Sequence, residues 1–224
     1  MPADATGLEL DRDVQAELRS LRNDIATAVA RHLVAAGRII DEDPERAYQH
    51  ALAARRLAPR VASVREAVGL AAYYTDRFPE ALRELRTARR ISGRDDNWPA
   101  MADCERALGR PDRALAMAAA PEAARLDTAG KAEMRIVAAG ARRDLGQLDA
   151  AVVTLHVPEL RAITDEPWLA RLRYAYADAL RAAGRVEEAQ RWLRLAAEAD
   201  ASGATDAADR LGEEEVRFLD LDGG

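Results

Sequence analysis

Val68 to Ala88 reads VGLAAYYTDRFPEALRELRTA, and two amphipathic helices are written into it around a hinge at Asp76-Arg77-Phe78-Pro79. On the first helix, Val68 and Gly69 precede Ala72 and Tyr73 at helical spacing. On the second, Ala81, Leu82, Leu85 and Ala88 form one apolar stripe. Pro79 suits a helix start, where its missing N–H would have had no partner. Gly69, Ala81 and Ala88 are small enough to let two helix axes approach closely, with Leu85 and Phe78 filling the seam. A single helical hairpin cannot bury such a face, so it requires neighbours of its own kind.

Those neighbours are marked by one alanine each. Ala47, Ala81, Ala114, Ala151 and Ala189 all follow a turn and open a second helix, at intervals of 34, 33, 37 and 38 residues. The turns are related: Leu108-Gly109-Arg110-Pro111-Asp112, Leu145-Gly146-Gln147-Leu148-Asp149 and Ala183-Gly184-Arg185-Val186-Glu187. In each, a glycine takes the left-handed backbone that ends one helix and an acid opens the next.

This arrangement resembles the tetratricopeptide repeat (TPR) family, whose unit is a helix–turn–helix of about 34 residues. The second unit carries the resemblance through Val68, Gly69, Ala81, Leu85 and Ala88. Trp98 opens the third unit, and Pro59 stands where the family closes a unit with proline. The resemblance spans Ala28 to Ala201, or five hairpins. The last three are degenerate, because two units exceed the family period and alanine replaces several large residues. The expected fold is all-α. The resemblance makes it a right-handed α-solenoid of antiparallel helix pairs over residues 24–201. A leader and N-terminal capping helix (1–23) precede it, and a C-terminal cap or acidic-apolar tail (202–224) follows.

Composition fits helices better than sheets. Apolar residues make up 49% of the chain but aromatics only 4%, and alanine is abundant. Lys131 is the one lysine against 32 arginines, which reads as coding bias. A net charge of −6 argues against general affinity for nucleic acid or anionic membranes. The start, Met1-Pro2-Ala3-Asp4, shows no secretory signal, and no apolar run approaches the ~20 residues needed to cross a bilayer. Cys104 has no second cysteine to pair with. These features point to a cytoplasmic protein.

Along the chain, Val14, Leu18 and Leu21 make a short capping helix, and Asn23 or Asp24 is placed to cap the next one. Pro121 and Pro158, each followed by glutamate, are expected to break the second helices of units three and four. Thr128 and Thr164 are placed to N-cap the helices that follow. Thr205 to Leu211 has the makings of one more short helix, and the run from Glu213 to Leu221 is acidic and apolar.

Little points to catalysis. His32, His50 and His156 have no second ligand at metal-binding spacing, and no glycine-rich loop follows a strand. Asp103 and Glu105 flank Cys104 and would raise its pKa. The acidic clusters at Asp41-Glu42-Asp43 and Glu187-Glu188 sit where helix dipoles favour them. The expectation is therefore no enzyme, no cofactor and no metal.

The family resemblance implies instead a concave groove lined by the first helix of each unit. Carried over at spacing i, i+4, i+7, it selects His32, Ala36 and Ile39; Glu66, Leu70 and Tyr73; and Pro99, Asp103 and Arg106. The last two rows are Ile136, Gly140 and Arg143, and Tyr174, Asp178 and Arg181. Such a groove suits a protein or peptide segment with hydrophobic anchors and an acidic end. Asp103/Arg106 and Asp178/Arg181 are also spaced to pair within their own helices. The implied function is a non-catalytic interaction scaffold. The alternatives are an RNA-binding helical repeat, which needs a basic groove, and a regulatory domain associated with an enzyme. Apolar faces at the ends of such arrays also permit self-association.

Overall fold

The computed structural model describes residues 5–212, so the acidic-apolar run from Glu213 onward lies outside the described residues. Every regular element among them is helical, which makes the described chain all-α. The chain divides into two compact units at Arg110/Pro111.

The first unit holds α1 (Arg12–Leu18), α2 (Asn23–Ile39), α3 (Pro44–Leu57), α4 (Ala62–Tyr74), α5 (Phe78–Ser92) and α6 (Trp98–Ala107). Each of α2 to α5 packs on its successor, and α4 also touches both α2 and α6. That scheme of nearest and next-nearest neighbours is what stacked hairpins produce, and it is consistent with a helical repeat. The second unit holds α7 (Pro111–Ala118), α8 (Pro121–Arg125), α9 (Thr128–Asp144), α10 (Leu148–Leu155), a 3₁₀ turn at Pro158–Arg161, α11 (Pro167–Ala182) and α12 (Val186–Ala199). Here α9 packs on α7, α10 and α11, and α11 packs on α12. Residues 207–212 add a final helical turn.

The marker alanines behave alike. Ala47, Ala81, Ala114, Ala151 and Ala189 all have 0% exposure. A larger side chain at any of them would push its helix off its neighbour. Gly69 shows the same closeness from the other side of the seam: a Cβ there would lie 2.7 Å from Leu85 Cγ. Leu85 itself is buried, and covering such a side chain contributes about 2 kcal/mol.

The turns also repeat. Gly109, Gly146 and Gly184 have φ of +73°, +73° and +78°. After each, paired backbone bonds close the helix: Gly146 N–H reaches Arg143 O at 2.9 Å and Gln147 N–H reaches Arg142 O at 2.8 Å. The second repeat has the same closure without glycine. Asp76 takes φ +58°, and Arg77 N–H donates to Ala72 O at 2.8 Å. Aspartate tolerates this left-handed region better than most residues, because its short side chain bonds locally.

Helix starts differ from the sequence reading in three places. Arg22, not Asn23 or Asp24, occupies the cap position of α2 and makes no side-chain cap. Asp127 caps α9 by accepting from Gly130 N–H, so Thr128 lies inside the helix. Thr164 accepts from Glu166 N–H in the loop instead of capping α11, which begins at Pro167. In each case a flanking residue already has the extended backbone that a helix entry needs. The breaks at Pro121 and Pro158 are present, as a new helix and a 3₁₀ turn.

Glu84 and Glu105 are buried although both are charged. Glu84 on α5 accepts from Arg55 of α3 at 2.8 Å and from Arg65, near the start of α4, at 2.7 Å. One carboxylate therefore ties three helices together. Glu105 accepts from Arg86 at 2.6 Å.

Candidate functional site

In the first unit, the residues selected for a groove meet across α4 and α6. Tyr73 donates its hydroxyl to Asp103 Oδ2 at 2.6 Å, and Arg106 Nε donates to Asp103 Oδ1 at 2.7 Å. The intrahelical Asp103/Arg106 pair is thus present, with Tyr73 joined to it from the neighbouring helix. Burial, then the Asp103 charge and hydrogen bond, push the Tyr73 phenol well above its ordinary pKa, so it stays a donor. The Tyr73 ring meets Tyr74 and Phe78 edge-on, at 5.8 and 6.1 Å between centroids.

Two turns earlier on α4, Glu66 accepts from Asn97 Nδ2 at 2.8 Å and from Arg94 at 3.3 Å. Leu70 lies half-buried between Glu66 and Tyr73 in the same row. His32 on α2 does not stand alone. Its Nδ1 lies 3.1 Å from His50 Nδ1 on α3, so one ring donates and the other accepts. Burial first, and nearby positive charge second, lower both imidazole pKa values, so both are neutral at pH 7. Sequence spacing had separated these histidines; the α2–α3 hairpin unites them.

In the second unit the selected residues do not form one set. Ile136 packs against the core built on Leu155, Leu172 and Leu180. Arg143 is exposed in the last turn of α9, and Arg181 is half-buried near the end of α11. Asp178 bonds Arg210 at 2.9 Å, and Arg210 also stacks over the Tyr174 ring at 5.0 Å. The helical turn at residues 207–212 therefore packs over Tyr174 and Asp178 of this row. It also seats Ala207 on Ala177, Leu193 and Ala196, so it caps the last hairpin.

Sequence reasoning missed Asn97, Arg94 and Arg210 as partners of the groove row. A signal for them existed: Glu66–Asn97, Tyr73–Asp103 and Asp178–Arg210 stand 31, 30 and 32 residues apart, close to one repeat. Polar residues set one repeat apart on successive first helices are the places to look.

Cys104 is fully buried, and its thiol is pushed up to about 12, by burial first and by Asp103 and Glu105 second. Among the described residues, no group of three or more His, Cys, Asp or Glu side chains is placed to hold a metal ion. No helix among them is long and apolar enough to cross a membrane. No protein-family model matches the sequence, and no curated protein matches it either.

Proposed function

We propose that this chain is a TPR-like interaction scaffold whose helix pairs continue as a right-handed α-solenoid and bind a protein or peptide segment without catalysis. The reading rests chiefly on the five marker alanines, each with 0% exposure at the same place after its turn. Repetition of that kind builds extended surfaces formed by equivalent side chains, which is how helical-repeat proteins recognise partners.

The surface offered is the α4–α6 face with Glu66, Leu70, Tyr73, Asp103 and Arg106. Its polar groups are already bonded to one another, so their rotamers are fixed before a partner arrives and little ordering entropy remains to be lost. Leu70 and the edge of the Tyr73 ring supply the apolar contact, and Arg106 supplies charge for a carboxylate. Partner identity follows from capture: proteins retained by the full chain are compared with those retained by Tyr73→Ala and by Arg191→Glu on α12. Loss with the first variant and retention with the second is the expected result. Equal retention by all three removes the α4–α6 face from the proposal.

A further inference from the structure

The ends of α3 and α5 carry a second repeated motif. Residues 54–60 read ARRLAPR and residues 88–94 read ARRISGR, at an offset of 34. Ala54 and Ala88 are both buried, which fixes the two motifs in equivalent rotation about their helices. The first arginine of each turns inward: Arg55 bonds Glu80 and Glu84, and Arg89 bonds Asp95 and lies over the Trp98 ring. The second arginine of each, Arg56 and Arg90, is exposed and makes no ion pair among the described residues. The apolar residue that follows is left in solvent, with Leu57 at 40% and Ile91 at 45% exposure.

The last arginines converge. Arg60 and Arg94 line one open cleft of about 510 Å³ together with Ile91, Val61 and the α1 residues Asp13 and Glu17. Arg94 is already paired with Glu66 and Asp96, whereas Arg60 is exposed and makes no ion pair among the described residues. The edge of the cleft already receives one carboxylate: Glu17 Oε2 accepts from Ser63 N–H at 2.9 Å at the start of α4.

We infer that this edge, which meets the α4–α6 face at the Arg94–Glu66 pair, is a docking surface for an acidic peptide segment bearing leucine-class side chains. Leu57 and Ile91, exposed at equivalent positions one repeat apart, take the partner's aliphatic side chains. Arg56, Arg60 and Arg90, which no acid among the described residues pairs, take carboxylates on either side of them by charge-assisted bonds. A nucleic acid fits less well. A continuous phosphate backbone would leave the two aliphatic side chains without a partner.

The test uses the full chain and a fluorescein-labelled nonapeptide of three Glu-Glu-Leu repeats, followed by fluorescence anisotropy. The peptide with lysine in place of glutamate and a labelled decauridylate serve as comparisons. Saturable binding of the acidic peptide alone is expected. Arg60→Glu/Arg90→Glu should weaken it by about tenfold or more, because close charges now repel. Ile91→Ala should weaken it by about threefold, the scale of a partly exposed aliphatic contact. Arg191→Glu/Arg194→Glu, which changes net charge equally on α12, and Tyr73→Ala should each leave it unchanged. Circular dichroism melts of the variants establish that they remain folded. Absence of binding, indifference to the Arg60/Arg90 variant, or tighter binding of decauridylate overturns the inference. Because Tyr73→Ala does not enter this surface, the result is independent of the fate of the α4–α6 face.

Discussion

Gly69 and Gly37 both lie in helices, yet the same substitution at each should have opposite effects. In an ordinary helix, Gly→Ala stabilises by about 1 kcal/mol, because alanine loses less backbone freedom on folding. At Gly37 an added Cβ meets nothing within 4 Å, so Gly37→Ala should keep most of that gain. At Gly69 the Cβ would lie 2.7 Å from Leu85 Cδ2 and Cγ, and 3.1 Å from Leu85 N. Leu85 is only 1% exposed, so its side chain has nowhere to swing, and the backbone contact requires α5 itself to move. Overpacking of this kind costs about 1–3 kcal/mol, and the cooperative alignment of α4 with α5 places Gly69→Ala toward the upper end. Subtracting the propensity gain leaves a net loss of about 1–2 kcal/mol for Gly69→Ala. At about 2–4 °C per kcal/mol for a chain of this size, the two variants should melt on opposite sides of the parent. Thermal unfolding followed by circular dichroism at 222 nm measures this directly. A Gly69→Ala chain that melts at or above the parent would refute the close-approach account of the α4–α5 seam.

Glu84→Gln should destabilise the first unit by about 2–4 kcal/mol, below the full cost of breaking a buried pair because Arg55 and Arg65 can partly rehydrate; urea unfolding measures it. The His32–His50 pair makes stability depend on pH. Both folded pKa values lie below the ordinary 6.5, so the unfolded chain binds protons first as pH falls. Their contribution is whole above about pH 6.5 and is lost progressively below it. A His32→Gln/His50→Gln variant should flatten that loss in urea unfolding compared between about pH 7.5 and pH 5.5, and an unflattened profile assigns the loss to other groups. Cys104, fully buried with its thiol pushed up to about 12, should resist a disulfide reagent in the native protein and react at once in denaturant. Fast native labelling would contradict its burial.

What the sequence made legible was local and repeated. The marker alanines, the left-handed glycines at Gly109, Gly146 and Gly184, and the breaks at Pro121 and Pro158 each follow from backbone rules acting within a few residues. Asp76 escaped because its turn lacks glycine, although it holds the same conformation. Three helix caps were misplaced by one or a few residues, since several neighbouring side chains at each start were chemically able to cap. Fewer of the site partners were visible. Nothing near His32 announces His50, because the pairing depends on the rotation of α3 against α2, which is set by packing along the whole hairpin. Arg210 reaches Asp178 for a similar reason, from a helical turn whose place only the burial of Ala207 decides.

These polar contacts nevertheless share a rule. Tyr48 bonds Glu80 across 32 positions, Arg55 bonds Glu84 across 29, Tyr73 bonds Asp103 across 30 and Arg210 bonds Asp178 across 32. Each joins a helix to its counterpart near one repeat away, so the apolar seams fix the stacking and the polar pairs fix its register. A stack held only by alanine contacts could slide, because small flat faces meet almost equally well after a one-turn shift. An aspartate moved one turn from its tyrosine loses its hydrogen bond, and if buried it also loses its solvation. The same side chains would serve two ends on the α4–α6 face if the proposed function holds: they hold neighbouring repeats in one alignment, and they present a finished polar surface to the proposed partner. Tyr73→Phe separates the two, since it keeps the ring and removes only the bond to Asp103. If the bond sets register, this variant lowers stability by about 1 kcal/mol and loosens amide protection on both α4 and α6. If it merely dresses the surface, exchange on α6 stays as it was.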